Sequence, residues 1–179
     1  MCNICVFAGT TEGRELVEFL AGQPVQATVC VATEYGETLL PEAENITVLA
    51  GRIPVEDIIR MLQRMRFDLV IDATHPYATS ITESICTACR DAADLTIALY
   101  NPASHGRPDH LKRACDILLR RLPGERLCGI VRNIGREGQS SRILTLAELR
   151  EAEVDMFCRE GKGREGGRKV EGKLVRKRG

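Results

Sequence analysis

The chain begins with a short apolar run, Ile4–Gly9, that breaks into Thr10-Thr11-Glu12-Gly13-Arg14 and passes directly into a helical pattern. A short, continuously apolar, β-rich run of this kind reads as a strand covered on both faces, the mark of a parallel sheet. A parallel strand in turn requires a crossover to its neighbour, so the opening commits the chain to βαβ units. Gly9 and Gly13 allow the backbone to come close to a ligand, and the N–H groups that open the next helix would point at a phosphate. The loop is neither a GxGxxG fingerprint nor a Walker A motif. On pattern alone, a tight strand-to-helix turn without a ligand fits equally well.

The alternation continues through the first hundred residues. After the strand at Ile4–Gly9, a helix is expected over Thr11–Ala21, with Leu16, Val17, Phe19 and Leu20 on its apolar side. Ala27–Thr33 and Ile46–Gly51 read as the second and third strands. Pro54 occupies a favoured helix-opening position, and Val55, Ile58, Ile59 and Leu62 form an apolar stripe behind it. Asp68–Ala73 is the fourth strand and Tyr77–Ala93 the next helix, carrying Ala78, Ile81, Ile85 and Cys89. Leu95–Tyr100 is the fifth strand. This order implies a mostly parallel α/β sheet with helices on both faces. Beyond it, Asn101–Arg107 reads as a polar loop and Pro108 as the start of a helix with Leu111, Ala114, Cys115, Leu118 and Leu119 inward. A strand at Leu127–Val131, a loop at Asn133–Ser141, a strand at Ile143–Leu146, a short helix to Glu151 and a strand at Val154–Phe157 follow.

The charge balance separates body from tail. Residues 159–179 hold nine Lys/Arg against three Glu and six glycines, which leaves the remainder of the 179-residue chain at a net charge of minus six. The tail has little apolar periodicity and reads as disordered. No apolar run approaches the ~20 residues of a membrane span, and no basic segment with an apolar h-region stands at the start. A cytoplasmic protein without a membrane partner is the expectation. The chain has no Trp and only 4% aromatic residues, so a base-stacking surface for nucleic acid is not expected.

Eight cysteines include two CxxC pairs, Cys2/Cys5 and Cys86/Cys89. Cys2 and Cys5 fall on opposite faces of a strand, and Cys86 and Cys89 lie within a helical pattern without a neighbouring His. The expectation is no metal site, the thiols serving as small core residues in a reducing compartment.

Ligands of doubly wound sheets bind beyond the carboxyl ends of the strands. Four polar clusters fall there: Thr10-Thr11-Glu12-Gly13, Glu34-Tyr35-Gly36, Gly51-Arg52 and Thr74-His75-Pro76-Tyr77. Together they line one crevice, in which Thr hydroxyls and backbone amides suit a phosphate and Arg52 suits a phosphate or carboxylate. His75, just ahead of Pro76, also fits a helix-capping or packing role, and Tyr35 fits a simple rim aromatic.

Gly-Thr-Thr-Glu-Gly-Arg (9–14), Val31-Ala32-Thr33-Glu34-Tyr35-Gly36, Gly51-Arg52 and Asp72-Ala73-Thr74-His75-Pro76-Tyr77-Ala78, in this order and spacing, resemble the precorrin-6A and cobalt-precorrin-6A reductases of cobalamin biosynthesis. The resemblance covers residues 1 to about 93. It implies a Rossmann-like domain and an NADPH-dependent reductase that delivers hydride to one double bond of a tetrapyrrole substrate. It further implies cofactor contacts from Gly9, Thr10, Thr11, Glu12, Gly13, Arg14, Thr33, Tyr35, Gly36, Gly51, Arg52, Thr74, His75 and Tyr77. An acidic residue after the second strand, here Glu34, usually suits the ribose of NAD, so only the resemblance selects NADPH.

From about residue 93 the sequence resembles precorrin-3B C17-methyltransferase instead. The carrying residues are Ala98–Ser104 with Arg107-Pro108, Gly129–Gly138, Thr145-Leu146 and Asp155-Met156-Phe157. In that family the segment belongs to the S-adenosylmethionine site, which places Tyr100, Asn101 and Asn133 near that ligand. The expected organisation is a reductase N-domain at 1–93, a partial tetrapyrrole-methylase-like α/β segment at 94–158, and the basic tail at 159–179. The second half of the reductase and the first half of the methylase have no counterpart here, so an impaired reductase is expected. A methyltransferase fragment and a non-catalytic dinucleotide-binding remnant are the alternatives.

Overall fold

Burial on both faces of the first strand organises the molecule. In the structure, a computed structural model that describes residues 1–75, 78–91, 96–100, 109–133, 137–154, 158–162, 167–170 and 173–176, β1 (Cys2–Ala8) pairs in parallel with β2 (Val25–Val31) on one side and β4 (Leu69–Ala73) on the other. Its side chains alternate as the pleat demands. Ile4, Val6 and Ala8 pack in a core cluster with Val17 and Leu20 of α1 (Thr11–Ala21), while Cys5 and Phe7 join the cluster on the opposite face. β3 (Ile46–Ala50) flanks β2, and β5 (Thr96–Tyr100) flanks β4, giving five parallel strands in the order β3-β2-β1-β4-β5.

The second face carries the larger helical layer. α3 (Val55–Met65), α4 (Thr79–Asp91), α5 (His110–Leu119) and α6 (Leu146–Arg150) lie side by side against it. Ile58 and Leu62, Ile85 and Cys89, Leu111 and Leu118, and Leu146 and Leu149 are the buried residues these helices contribute. Each fully buried aliphatic side chain is worth about 1.5–3 kcal/mol of transfer free energy. The first face has α1 and a short α2 (Glu34–Thr38). Helices therefore cover both faces, as the alternation implied.

Several elements differ from the sequence expectation. Phe19 is 62% exposed, because the stripe that faces β1 runs through Gly13, Val17 and Leu20 and leaves position 19 beyond its edge. Pro54 stands just outside α3 as its cap residue rather than in its first turn. Glu34-Tyr35-Gly36, expected as loop, begins α2, and Thr33, expected as the end of a strand, caps it by accepting from the Gly36 amide at 3.1 Å. Beyond β5 the pairing turns antiparallel. β6 (Leu127–Arg132) and β7 (Ser140–Thr145) form a hairpin in which Ser140 and Ser141, expected in the loop, pair with Arg132 and Val131.

The tail gives the largest departure. The strand expected at Val154–Phe157 is not at Val154, and Asp155, Met156 and Phe157 lie outside the described residues. The chain instead pairs as β8 (Cys158–Lys162), inserted between β5 and β6 and antiparallel to both. β9 (Gly167–Val170) and β10 (Lys173–Arg176) form a separate antiparallel pair. Backbone ladder bonds are independent of side-chain type, so a glycine-rich, charged segment can complete a sheet without any apolar alternation to announce it.

The thiols sit as the strand and helix phases require. Cys2 is exposed, whereas Cys5, Cys30, Cys86, Cys89, Cys115 and Cys128 are buried. The Cys5 thiol is pushed up by its hydrogen bond with Cys30 and then by burial; burial is the first cause that pushes Cys86 up. Among the described residues no group of three His, Cys, Asp or Glu side chains is placed to hold a metal ion, and no helix is long and apolar enough to cross a membrane. Buried thiols are inert towards reagents that attack from solvent. An Ellman-type reagent read by peptide mass spectrometry should therefore modify Cys2 on the order of a hundredfold faster than the six buried thiols in native protein. Denaturant should erase the difference.

α6 carries a capping box, in which the Thr145 hydroxyl accepts from the Glu148 amide and the Glu148 carboxylate accepts from the Thr145 amide at 2.7 Å. The hydrogen bonds that the carboxylate accepts from the Thr145 amide and, second, from the Thr145 hydroxyl at 2.9 Å hold the Glu148 carboxyl below its ordinary value, and the hydrogen bond from Arg150 at 2.5 Å does the same for Asp116. A carboxyl lowered in the folded chain stabilises it above the unfolded value of about 4 and loses that contribution as pH falls through the folded value. The D116N/E148Q double variant should thus show a flatter decline of melting temperature below about pH 4.5 than the parent.

Candidate functional site

The parallel ladder brings four strand ends into line. Ala50 of β3 stands opposite Val31 of β2, Val31 opposite Ala8 of β1, and Ala8 opposite Ala73 of β4. All four following loops leave the sheet at this level. α1 carries the chain from β1 towards β2, while α4 carries it from β4 towards β5. The crevice between these opposed crossovers is where doubly wound sheets take their ligands.

The turn after β1 is held by one hydroxyl. Thr10 Oγ1 donates to the Ala73 carbonyl at 3.3 Å and accepts from the Gly13 amide at 3.1 Å, so it caps α1 and ties the turn to β4. The Arg14 amide donates to the Thr10 carbonyl as the first intrahelical bond. The amides of Thr11 and Glu12 come before any intrahelical acceptor, and both residues line a cleft at the positive end of an eleven-residue helix. Glu12 places a carboxylate on that same first turn, and Arg14 supplies the compensating cation.

Two clefts flank the strand ends and share Ala8, Gly9, Val31, Ala32 and His75 as a common wall. The first, of about 670 Å³, is lined by the turn residues Gly9, Thr10, Thr11, Glu12 and Arg14, and by Thr33, Tyr35 and Gly36 from the start of α2. The second, of about 580 Å³, lies towards α3 and α4 and takes in Gly51, Arg52, Thr74, Ser80 and Ser84. Both volumes are in the range of small-molecule and cofactor sites. Gly51 adopts φ of +118°, a left-handed conformation that only glycine holds without strain, and its amide donates to the Val31 carbonyl at 2.8 Å. This turn delivers Arg52 to the second cleft.

Most of the sequence-predicted residues thus meet at one edge, but the roles of the glycines divide. Gly9 lines both clefts, and a Cβ there would lie 3.4 Å from the Thr74 Cα and the His75 amide nitrogen. Gly13, expected to let the backbone approach a ligand, lines neither cleft. It is buried against β4, where a Cβ would meet the Ala73 carbonyl oxygen at 3.1 Å and the Ala73 Cβ at 3.2 Å. Its work is close helix–sheet packing. Glu34, although next to Thr33 and Tyr35, does not line the cleft they share. His75 lines both clefts, and its carbonyl accepts from the Ala78 amide at 2.8 Å.

Tyr77 and Asn101 lie outside the described residues. Tyr100 ends β5 and Asn133 follows β6 with φ of +52°; neither lines the two clefts. Sequence reasoning assigned no role to Asp72 or Thr82. Asp72 is 3% exposed directly below the Thr74-His75 turn, and an acid inside an otherwise apolar strand was the available signal.

Residues 3–119 match the family described as "Precorrin-6x reductase CbiJ/CobK". The matched stretch runs through α5, past the boundary expected at residue 93. A cobalt-precorrin-6A reductase of Methanothermobacter thermautotrophicus is 28% identical over 101 residues, covering 56% of this chain and 33% of the relative. The enzyme of the same name from Salmonella typhimurium is 28% identical over 168 residues, covering 88% of this chain and 64% of the relative. A probable cobalt-factor III C(17)-methyltransferase of Salmonella typhimurium is 38% identical over 64 residues, 36% of this chain and 27% of the relative. The chain therefore spans between one third and just under two thirds of the reductases it matches, and similarity to both enzymes expected from the motifs is present.

The packing of Gly13 on Ala73 gives a direct test. Alanine normally gains about 1 kcal/mol over glycine inside a helix. At position 13 the facing atoms belong to the rigid β4 backbone, so G13A should instead destabilise by about 1–3 kcal/mol in urea unfolding. G22A, where the nearest atom to an added Cβ is 3.8 Å away, should leave stability within about 0.5 kcal/mol of the parent.

Proposed function

The chain belongs to the CbiJ/CobK precorrin-6x reductase family, and from that premise we propose that its strand-end crevice binds NADPH in the service of reducing a precorrin. The carrying observation is the Gly9–Arg14 turn: a capped helix start whose first residues line a cleft of cofactor size at the reversal of strand order. When bound, the reduced nicotinamide supplies the hydride for one double bond of the tetrapyrrole.

The residues present fit a dinucleotide. The Thr11 and Glu12 amides suit its pyrophosphate, and the absence of a Cβ at Gly9 keeps the turn low beside Thr74 and His75. The second strand's exit supports a phosphorylated ribose. Glu34 does not line the first cleft, whereas Arg14 and Thr33 do. A cation with an adjacent hydroxyl favours a phosphate over a bare diol. Arg52 in the second cleft is placed to pair with a carboxylate of the substrate or with the cofactor. We assign the reductase role to residues 1–93 and the methylase-like role to 94–158, and place the protein in the cytoplasm.

The C(17)-methyltransferase likeness favours a second reading, in which residues 94–158 contribute to an S-adenosylmethionine site through Tyr100, Asn101 and Asn133. A labelled S-adenosylmethionine analogue that failed to bind would remove it.

Titration of nicotinamide fluorescence tests the principal reading, helped by the absence of tryptophan from the chain. NADPH should bind at least about tenfold more tightly than NADH, and R14Q should shrink that ratio towards one. No NADPH affinity up to millimolar concentration would overturn the reading.

A further inference from the structure

Asp72 is a buried carboxylate that the cofactor reading does not use. It is 3% exposed and second from the end of β4, in register with Phe7 of β1 and Leu99 of β5. Burying a carboxylate is costly unless donors surround it. Here they do. Oδ1 accepts from the Thr74 amide at 3.0 Å and from the Thr74 hydroxyl at 2.7 Å. Oδ2 accepts from the hydroxyl of Thr82 at 2.6 Å, itself 5% exposed on α4. One oxygen thus fixes the turn after β4 and the other fixes the helix that follows.

That turn is the surface on which the turn after β1 rests. Gly9 lies against the backbone of Thr74 and His75, Gly13 lies against Ala73, and Thr10 donates to the Ala73 carbonyl. The height of Thr74 and His75 above the sheet therefore sets how Gly9 and the leading amides of α1 are presented to the crevice. We infer that Asp72 is a positioning residue for the dinucleotide site, holding the Thr74-His75 turn so that the Gly9–Glu12 backbone keeps its phosphate-binding shape. The inference rests on the dinucleotide reading given above.

The two arms of the carboxylate are separable. T82V removes the donor to Oδ2 and leaves Oδ1 with both Thr74 donors. D72A removes both arms. D72N keeps an oxygen for Thr74 and turns an amide towards the Thr82 hydroxyl, which accepts as well as donates. The experiment is an NADPH titration of the full chain, combined with ligand-free hydrogen exchange in peptides covering 9–14. D72A should weaken NADPH binding at least about tenfold and speed exchange in that segment; D72N should restore both to within about threefold of the parent. T82V should lower the melting temperature while leaving affinity and exchange unchanged. If D72A does not fold, D72S, with a hydroxyl too short to span both partners, carries the same comparison.

A folded D72A or D72S with parental affinity and exchange overturns the inference. So does T82V losing affinity as severely as D72A, which would make the anchoring of α4 the whole effect. If the parent protein does not bind NADPH, the dinucleotide reading fails, and the exchange measurement still decides whether Asp72 holds the turn.

Discussion

Hydrogen bonding of β1 to both β2 and β4 is the constraint from which the site follows. With β1 central, the crossover that leaves it must run one way and the crossover that leaves β4 the other. The register then sets Ala50, Val31, Ala8 and Ala73 abreast. Four loops from distant parts of the chain emerge at one height, and none of them needs long side chains to meet the others. The contacts between them are made by backbone and small groups: Gly9 on Thr74 and His75, Gly13 on Ala73, and the Thr10 hydroxyl on the Ala73 carbonyl. A site built this way is stiff, because its spacing is that of a strand ladder.

The chemistry of the edge is a balance of opposed charges. The N-terminus of α1 offers amides and a positive dipole end, and Glu12 works against an anion there while Arg14 works for it. Arg52 stands across the shared wall in the second cleft. Between the two clefts His75 is common to both linings, so a ligand that filled one would be felt by the residue that borders the other.

How much of this was legible depended on whether a residue's role left a periodic trace. β1, β4 and α1 were readable because burial on two faces, or on one helical stripe, forces apolar residues into recognisable spacings. The four loop clusters were readable because doubly wound sheets send their binding loops to one edge. α2 was not, since five residues containing Gly36 are too few to display a stripe. Gly13 was recognised as necessary but given the wrong neighbour, because sequence does not say whether the missing Cβ makes room for a ligand or for Ala73. Asp72 and Thr82 are ten residues apart and meet only once β4 and α4 are packed. β8 was invisible for a different reason: its place is fixed by backbone pairing with Ile97–Tyr100 and Cys128–Arg132, which has no side-chain signature.

The position of β8 has a consequence for how the chain assembles. During synthesis, β1 to β5 are complete early and can close their parallel ladder by contacts over moderate sequence distance. The β6–β7 hairpin is local and can form by itself. Yet among the described residues no strand pairing links the hairpin to β5 until residues 158–162 arrive, more than fifty residues after Tyr100, to pair with both. Until then β5 and β6 each present an open strand edge, the kind of surface that captures other chains. Among the described residues, the last-made strand of the main sheet is therefore its keystone, and vectorial synthesis leaves two adhesive edges exposed until that strand is in place.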